Sequence, residues 1–329
     1  MKYKLLSLAV LSAFSGIAAA ATNVTLYGTA EIAYRDQTGD NLSLRQDAAG
    51  ESRVGFKGQE DLGNGTAAFF QLESRYNLDT GANTGELNKT GFFDEKAVVG
   101  LSFANGMHKV YFGKSASPID RIGNNIGHLA NDIGVKSSMG GWRNGAFYDY
   151  NANGLAVAAA VTTKGGAFAP PTVAATEGVK GEKSSYGISA RYDAANWYFG
   201  AGWQADNDIN AHDSGVKNEW LAVAGVKFAP VTVGVSYADA NKYAKADRRV
   251  MQAHISGNLT PNDQLFATYG NVKGKDSTGA VNEKGHKYGL GYVHSLSKRT
   301  SVFAGVARVK DTLNDDSYTD WDVGLKHTF

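Results

Sequence analysis

The sequence predicts an all-β chain, a transmembrane antiparallel β-barrel of 16 strands. Three observations carry that prediction. Segments of about ten residues alternate apolar and polar side chains with period two, as strands with one buried face do. Short turns and longer polar segments take strict turns along the chain. The strand count, running from 23–36 to 318–329, is even, so the first and last strands can lie side by side and close the sheet.

The chain opens with Lys2 and Lys4, an apolar run from Leu5 to Phe14, and small residues up to Thr22. That tripartite pattern predicts a signal peptide over 1–21, cleaved after Ala20 or Ala21, and an exported chain. As a membrane anchor the run is short of the roughly 20 residues a spanning helix needs. No linker or composition shift follows, and "TTKGGAFAPPTVAATEGVKGEKSS" reads as one long polar loop, so 22–329 is expected to form a single barrel domain. There is no cysteine, which excludes disulfide closure, thiolate metal sites and thiol nucleophiles. Lys+Arg at 33 against Asp+Glu at 32 implies no polyanion partner, hence no nucleic acid. Forty glycines and 31 tyrosines and phenylalanines suit extended strands joined by tight turns.

Taken in order, "VTLYGTAEIAYR" sets Leu26, Ala30, Ile32 and Tyr34 opposite Tyr27, Thr29, Glu31 and Arg35. "TAAFFQLESRY" sets Ala68, Phe70, Leu72 and Tyr76 against Gln71, Glu73 and Arg75. "YGISARYD" and "EWLAVAGVKF" repeat the scheme with Tyr186, Ile188, Ala190 and Tyr192, and with Trp220, Ala222, Ala224, Val226 and Phe228. Short turns fall at 61–65, 104–107, 151–154, 193–196, 229–230, 260–263 and 296–299. Longer polar segments fall near 36–50, 79–92, 115–142, 165–183, 207–217, 241–247, 275–284 and 311–317. A soluble sandwich could also hold many half-buried strands, but with turns of no regular length order. In lipid an open sheet edge is not tolerated, so closure is forced. Aromatics near strand ends (Tyr34, Tyr76, Tyr192, Trp203, Trp220, Tyr237, Tyr292, Trp321) fit the two interfacial girdles of such a barrel. In "YTDWDVGLKHTF", Trp321, Val323, Leu325 and Phe329 share a face.

That closing strand resembles the assembly signal of bacterial outer-membrane barrels, which assigns Trp321, Leu325 and Phe329 to recognition by the barrel assembly machinery. "VTLYGTAEIAY", "SRVGFKGQEDLGNGTAAFFQLES", "LSKRTS" and "VGLKHTF" are similar to the Gram-negative general porins, in the subgroup typified by the neisserial porins. The resemblance implies a homotrimer in the cell outer membrane, surrounded by lipid, passing ions and small hydrophilic solutes by diffusion. In porins the third long loop folds into the barrel.

Here that loop is 115–142, and it carries "SPIDRIGNNIGHLANDIG". Ile119, Ile122, Ile126, Leu129 and Ile133 form an apolar stripe at helical spacing. A sixteen-stranded barrel encloses a channel wider than its own side chains fill. A helix resting this stripe on the wall would narrow it; the alternative is an outer surface loop with chance periodicity. Gly123, Gly127 and Gly134 predict a broken or short helix. The constriction residues are then Asp120, Arg121, Asn124, His128, Asp132 and Lys136, facing a pore wall of Arg35, Arg53, Lys57, Glu73, Arg75 and Lys109. Opposed charges across a narrow aqueous gap sort ions. The porin pattern "NSVRYDSP" reads "NGAFYDYN" here, putting Phe147 at a lumen position usually basic, and the loop holds few acids. A weak anion preference is expected.

No catalytic motif, metal-ligand set or cofactor fingerprint occurs. "DNDINAHDSGVK" starts like a calcium loop but has Ala211 and Lys217 where glycine and glutamate belong. "GAGWQA" and "GLGYVH" sit in strands with no following helix. The rival functions are a barrel hydrolase, which needs a Ser–His pair, and a surface adhesin, which needs more elaborate loops.

Overall fold

A computed structural model of the chain describes residues 23–36, 42–45, 52–82, 92–123, 141–163, 184–205, 216–242, 247–276 and 278–329. The expected signal segment lies outside them. The strands are β1 (Asn23–Asp36), β2 (Ser43–Arg45), β3 (Arg53–Gly63), β4 (Thr66–Arg75), β5 (Lys96–Phe103) and β6 (His108–Ala116). They continue with β7 (Gly141–Ala152), β8 (Leu155–Thr162), β9 (Tyr186–Asp193), β10 (Trp197–Ala205), β11 (Val216–Phe228) and β12 (Val231–Lys242). The last are β13 (Asp247–Asn258), β14 (Asp263–Lys275), β15 (Val281–Ser295), β16 (Thr300–Asp311) and β17 (Asp316–Thr328). All belong to one antiparallel sheet that returns on itself, β17 pairing with β1 from Thr29↔Thr328 to Asp36↔Trp321.

Seventeen strands make a barrel of sixteen staves. On its other flank β1 pairs with β3 over Asn23–Thr29 and with β2 over Ala33–Arg35, so β2 and β3 share one stave position. The sequence reads β2 as loop because three residues are too few to show a period.

The faces are inverted relative to a soluble protein. Leu26, Val99, Phe112, Ile188, Phe199, Leu290 and Val323 are exposed, while Glu31, Glu73, Gln204, Glu219, Lys287, Asp320 and Asp322 are buried. Only a barrel whose outer wall meets lipid and whose inner wall is polar accounts for both sets. The outer aromatics form two tiers. Tyr186 and Trp203 approach to 5.7 Å, Trp203 opposes Trp220, and Trp220 lies 5.1 Å from Tyr237. Tyr192 and Trp197 form the other tier at 5.4 Å, on the order of 20 Å along the strands from the first. Tyr76 is half-buried, its hydroxyl donating to the Thr29 carbonyl at 3.3 Å.

The tight turns follow their residues. Asn64–Gly65 and Asn153–Gly154 both have positive φ at both positions (51° and 71°, 51° and 81°), the type I′ geometry that matches strand twist. The long-short rule weakens toward the end of the chain. β14 ends at Lys275 with β15 starting at Val281, and β16 ends at Asp311 with β17 starting at Asp316, spacings as short as those on the opposite rim. The segments read as loops at 275–284 and 311–317 are partly strand, because β14, β15 and β16 run past the apolar band and carry polar side chains on both faces there. Closure is sealed by Phe329, which exchanges backbone hydrogen bonds with Gly28 at 3.0 and 3.1 Å. A β-carbon on Gly28 would sit 2.5 Å from the Phe329 ring.

Candidate functional site

After β6 the chain turns at Ser117–Pro118 into a 3-10 turn, Ile119–Arg121. Pro118 starts the turn with φ −55°, the value its ring fixes. The amphipathic helix expected from the stripe is therefore, among the described residues, a single 3-10 turn. Side chains three apart eclipse in that geometry, so Ile119 and Ile122 point the same way, and both are buried. They pack against Leu221, Val223, Ala238 and Val250 of β11–β13. Ile126, Leu129 and Ile133, and the constriction candidates Asn124, His128, Asp132 and Lys136, lie outside the described residues.

The partners of this turn are all inward-facing. Gln204 on β10 accepts from the Ile119 amide at 3.3 Å. On β9, Ser189 donates to the Pro118 carbonyl at 2.6 Å and Arg191 to the Ile122 carbonyl at 3.4 Å. Their sequence neighbours Ile188, Tyr192 and Trp203, and Trp220 beside Leu221, are exposed on the opposite side of the wall. The turn that follows β6 is thus bonded to β9 and β10 and shares a buried cluster with β11–β13. Asp120 is exposed.

Arg121 turns back the other way. Its guanidinium bonds the Asp149 carboxylate on β7, the Tyr111 hydroxyl on β6, Ser115 Oγ at 3.1 Å and the Ala116 carbonyl at 3.3 Å. It also lies over the rings of Tyr111 (5.6 Å) and Phe147 (5.8 Å), which stack on each other at 5.2 Å and 9°. Phe147 does face inward, in a buried cluster with Val98, Tyr111, Trp142 and Ala160. Arg121 thus carries its positive charge over the Phe147 ring. A bulge between Gly113 and Ser115 makes room for this: Gly113 has φ +125°, and a β-carbon there would strike the Ala97 carbonyl.

The predicted wall is only partly assembled as one unit. Arg53 and Arg75 are register partners, a like-charge pairing that is unfavourable unless bridged. Acids bridge it: Arg53 meets Glu73 at 3.2 Å, and Arg75 meets Asp94 at 2.9 Å and Glu95 at 3.3 Å. Tyr27 donates to Glu73 at 2.8 Å. Lys57 rests over the Tyr27 ring at 5.1 Å and Lys109 over Phe69 at 5.7 Å. Arg35 does not join them. It opposes Asp322 of β17, six residues along β1 from the Thr29–Arg53 pair, on the order of 20 Å away. Sequence reading missed the acids Asp94 and Glu95, which lie in the 79–95 connection, and Asp149, whose alternation on β7 is legible once Tyr148 is assigned to the outside.

Among the described residues no three histidines or carboxylates gather as a metal site, and no histidine is bonded to a serine. The Gram-negative porin family matches residues 7–314. Outer membrane porin protein 32 of Delftia acidovorans is 30% identical over 100% of both chains. Among solved structures, the anion-selective porin from Comamonas acidovorans superposes with TM-score 0.71 at 22% identity, covering 94% of this chain and 100% of that one. The trimer form of OmpT of Vibrio cholerae gives 0.69 at 14%, covering 94% and 100%.

Proposed function

The chain belongs to the Gram-negative porin family, a passive diffusion channel of the outer membrane, and on that premise we propose how its channel works. Segment 115–142 enters the lumen and forms the constriction for ions and small hydrophilic solutes, and the chain acts as a homotrimer. The observation that carries this is the fastening of Pro118–Ile122 to inward residues of β9–β13. The trimer form of the Vibrio cholerae neighbour supports the assembly. Selectivity is weakly anionic: Arg53, Arg75 and Arg121 are largely matched by Glu73, Asp94 and Asp149, leaving Lys57 and Lys109 over aromatic rings. Phe329, seated on Gly28, is the residue the barrel assembly machinery reads, with Trp321 and Leu325 on the same face. The protein has no catalytic role.

Deleting Ile119–Ile133 should raise single-channel conductance in planar bilayers while the oligomer stays intact in unboiled SDS gels. The same operation on 165–183 should change conductance little. The reverse pattern would place the constriction elsewhere.

A further inference from the structure

A charged cluster lines the inner wall of β9–β11 at the short-turn mouth. Asp193 ends β9, and its amide bonds the carbonyl of Gly154 in the neighbouring turn at 2.8 Å. Lys227 is next to last in β11, and its amide bonds the Asn196 carbonyl at 2.8 Å. The Asp193 carboxylate accepts from Arg191 Nε at 2.6 Å, from Arg191 Nη2 at 3.2 Å and from Lys227 Nζ at 2.9 Å. Two parallel bonds from one guanidinium fix its direction as well as its place. Tyr198 supplies the platform. Its side chain lies across Gly225 toward Gly234, where a β-carbon on the first would strike the ring and one on the second the hydroxyl. Arg191 sits over that ring at 4.3 Å and Lys227 at 5.6 Å, within cation–π range.

The remaining guanidinium nitrogen, Nη1, donates to the Ile122 carbonyl at 3.4 Å. Ile122 closes the 3-10 turn, and a carbonyl at the end of a turn needs a donor from outside it. So long a bond weakens steeply with misalignment, and it therefore depends on how the guanidinium is aimed. Asp193 and Tyr198 set the aim. Among the described residues neither Asp193 nor Lys227 bonds the loop itself. With the side chains of Arg191 and Asp193 22% and 37% exposed, their ion pair adds little to the stability of the barrel.

We propose that Asp193 and Lys227 are positioning residues for the segment after β6. Acting through Arg191 on its Tyr198 platform, they hold the turn at Pro118–Ile122 from the short-turn mouth, the end of the barrel opposite the strand end that carries the segment. Their effect on the current rests on the reading of 115–142 as the constriction; their effect on the turn does not.

The full-length protein is followed by amide exchange at Ile122 and by planar-bilayer recording. Asp193→Asn should quicken that exchange about fivefold, the loss of one hydrogen bond, and make current transitions more frequent. Lys227→Gln should act in the same direction, and Lys227→Arg should keep wild-type values. Arg191→Lys retains the charge but not the fork, so it should match Asp193→Asn. Gly225→Ala should do so too, by lifting the Tyr198 ring. Arg248→Gln, which breaks the ion pair with Glu283 at the long-loop rim, should leave both readouts unchanged. Wild-type exchange in both Asp193→Asn and Arg191→Lys overturns the proposal, as does an equal change in Arg248→Gln. A fall in oligomer heat stability with exchange at Ile122 unaltered also overturns it, making the cluster a support of the barrel alone. Faster exchange with unaltered currents would uphold the positioning and count against the constriction.

Discussion

Replacing Ile119 with alanine tests whether the segment after β6 is held to the wall by the contacts seen here. Ile119 is fully buried against Leu221, Val223, Ala238 and Val250. Truncating such a side chain costs roughly 2–5 kcal/mol, because the pocket collapses only in part. The remaining fasteners are Ile122, buried in the same cluster, and the bonds from the Ile119 amide to Gln204, from Ser189 to the Pro118 carbonyl and from Arg191 to the Ile122 carbonyl, each bond worth about 1 kcal/mol. The anchoring of this turn is therefore mainly apolar, and its detachment equilibrium should rise at least about thirtyfold. The barrel itself should be untouched, since the strand ladders do not involve Ile119. Planar-bilayer recordings of Ile119→Ala should show more frequent current transitions at fixed voltage, and amide exchange at Ile122, which bonds the Ile119 carbonyl, should accelerate. Gly202→Val should act similarly from the wall side, since a β-carbon on Gly202 would lie 2.9 Å from Ile119 Cγ2. Wild-type current traces together with wild-type exchange at Ile122 would refute the anchoring argument. A fall in oligomer heat stability without either effect would show that Ile119 serves the barrel rather than the loop.

Gly28→Val should lower the yield of folded, heat-modifiable protein, because overpacking the Phe329 seat costs about 1–3 kcal/mol; deleting Phe329 should do the same, and normal assembly of both variants would make that seat incidental. Asp120→Lys should move the reversal potential toward anions, more at low salt, where the Debye length is about 30 Å, than at about 10 Å in 0.1 M salt. Asp276 accepts from the Thr278 hydroxyl at 2.6 Å and the amides of Thr278 and Ala280 at 2.8 and 3.1 Å, which holds its carboxyl below the usual 3.8. Because that value is depressed on folding, the turn's stabilisation is present above 3.8 and is lost as pH falls through the lower, folded value. Amide exchange at Thr278 and Ala280 should therefore quicken only in acid, and Asp276→Asn should flatten that dependence.

The staves and short turns were legible because lipid enforces strict alternation: Leu26, Tyr34, Ile188 and Trp220 all lie on the outside as their period predicts. What alternation cannot reveal is a dry patch on the inner wall. Tyr111, Trp142 and Phe147 are apolar or aromatic, yet they face inward, covered by Arg121 and one another. The bulge after Gly113 also shifts the parity of β6, which no periodic pattern announces. Of the helical stripe, Ile119 and Ile122 are buried, in a 3-10 turn that starts at Pro118, while Ile126, Leu129 and Ile133 lie outside the described residues. Alternation assigns the wall basics to a face but not to a height along the strand, and Arg35 lies opposite Asp322, six residues along β1 from the Thr29–Arg53 pair.

The seam between β1 and β17 joins eight residue pairs, the outermost being Asp36 with Trp321. Every other connection in the sheet links strands close in sequence, whereas this one brings together residues nearly three hundred apart. Chain statistics put the closure entropy of such a loop at about 5 kcal/mol against about 1 kcal/mol for a hairpin of a few residues. Hairpins can therefore accumulate one after another while the seam is still open, and an incomplete barrel is a curved ribbon with two bare edges. Its lifetime in lipid depends on how soon those edges meet, which makes the rate of the last pairing, more than the stability of any single strand, the quantity on which faithful insertion depends.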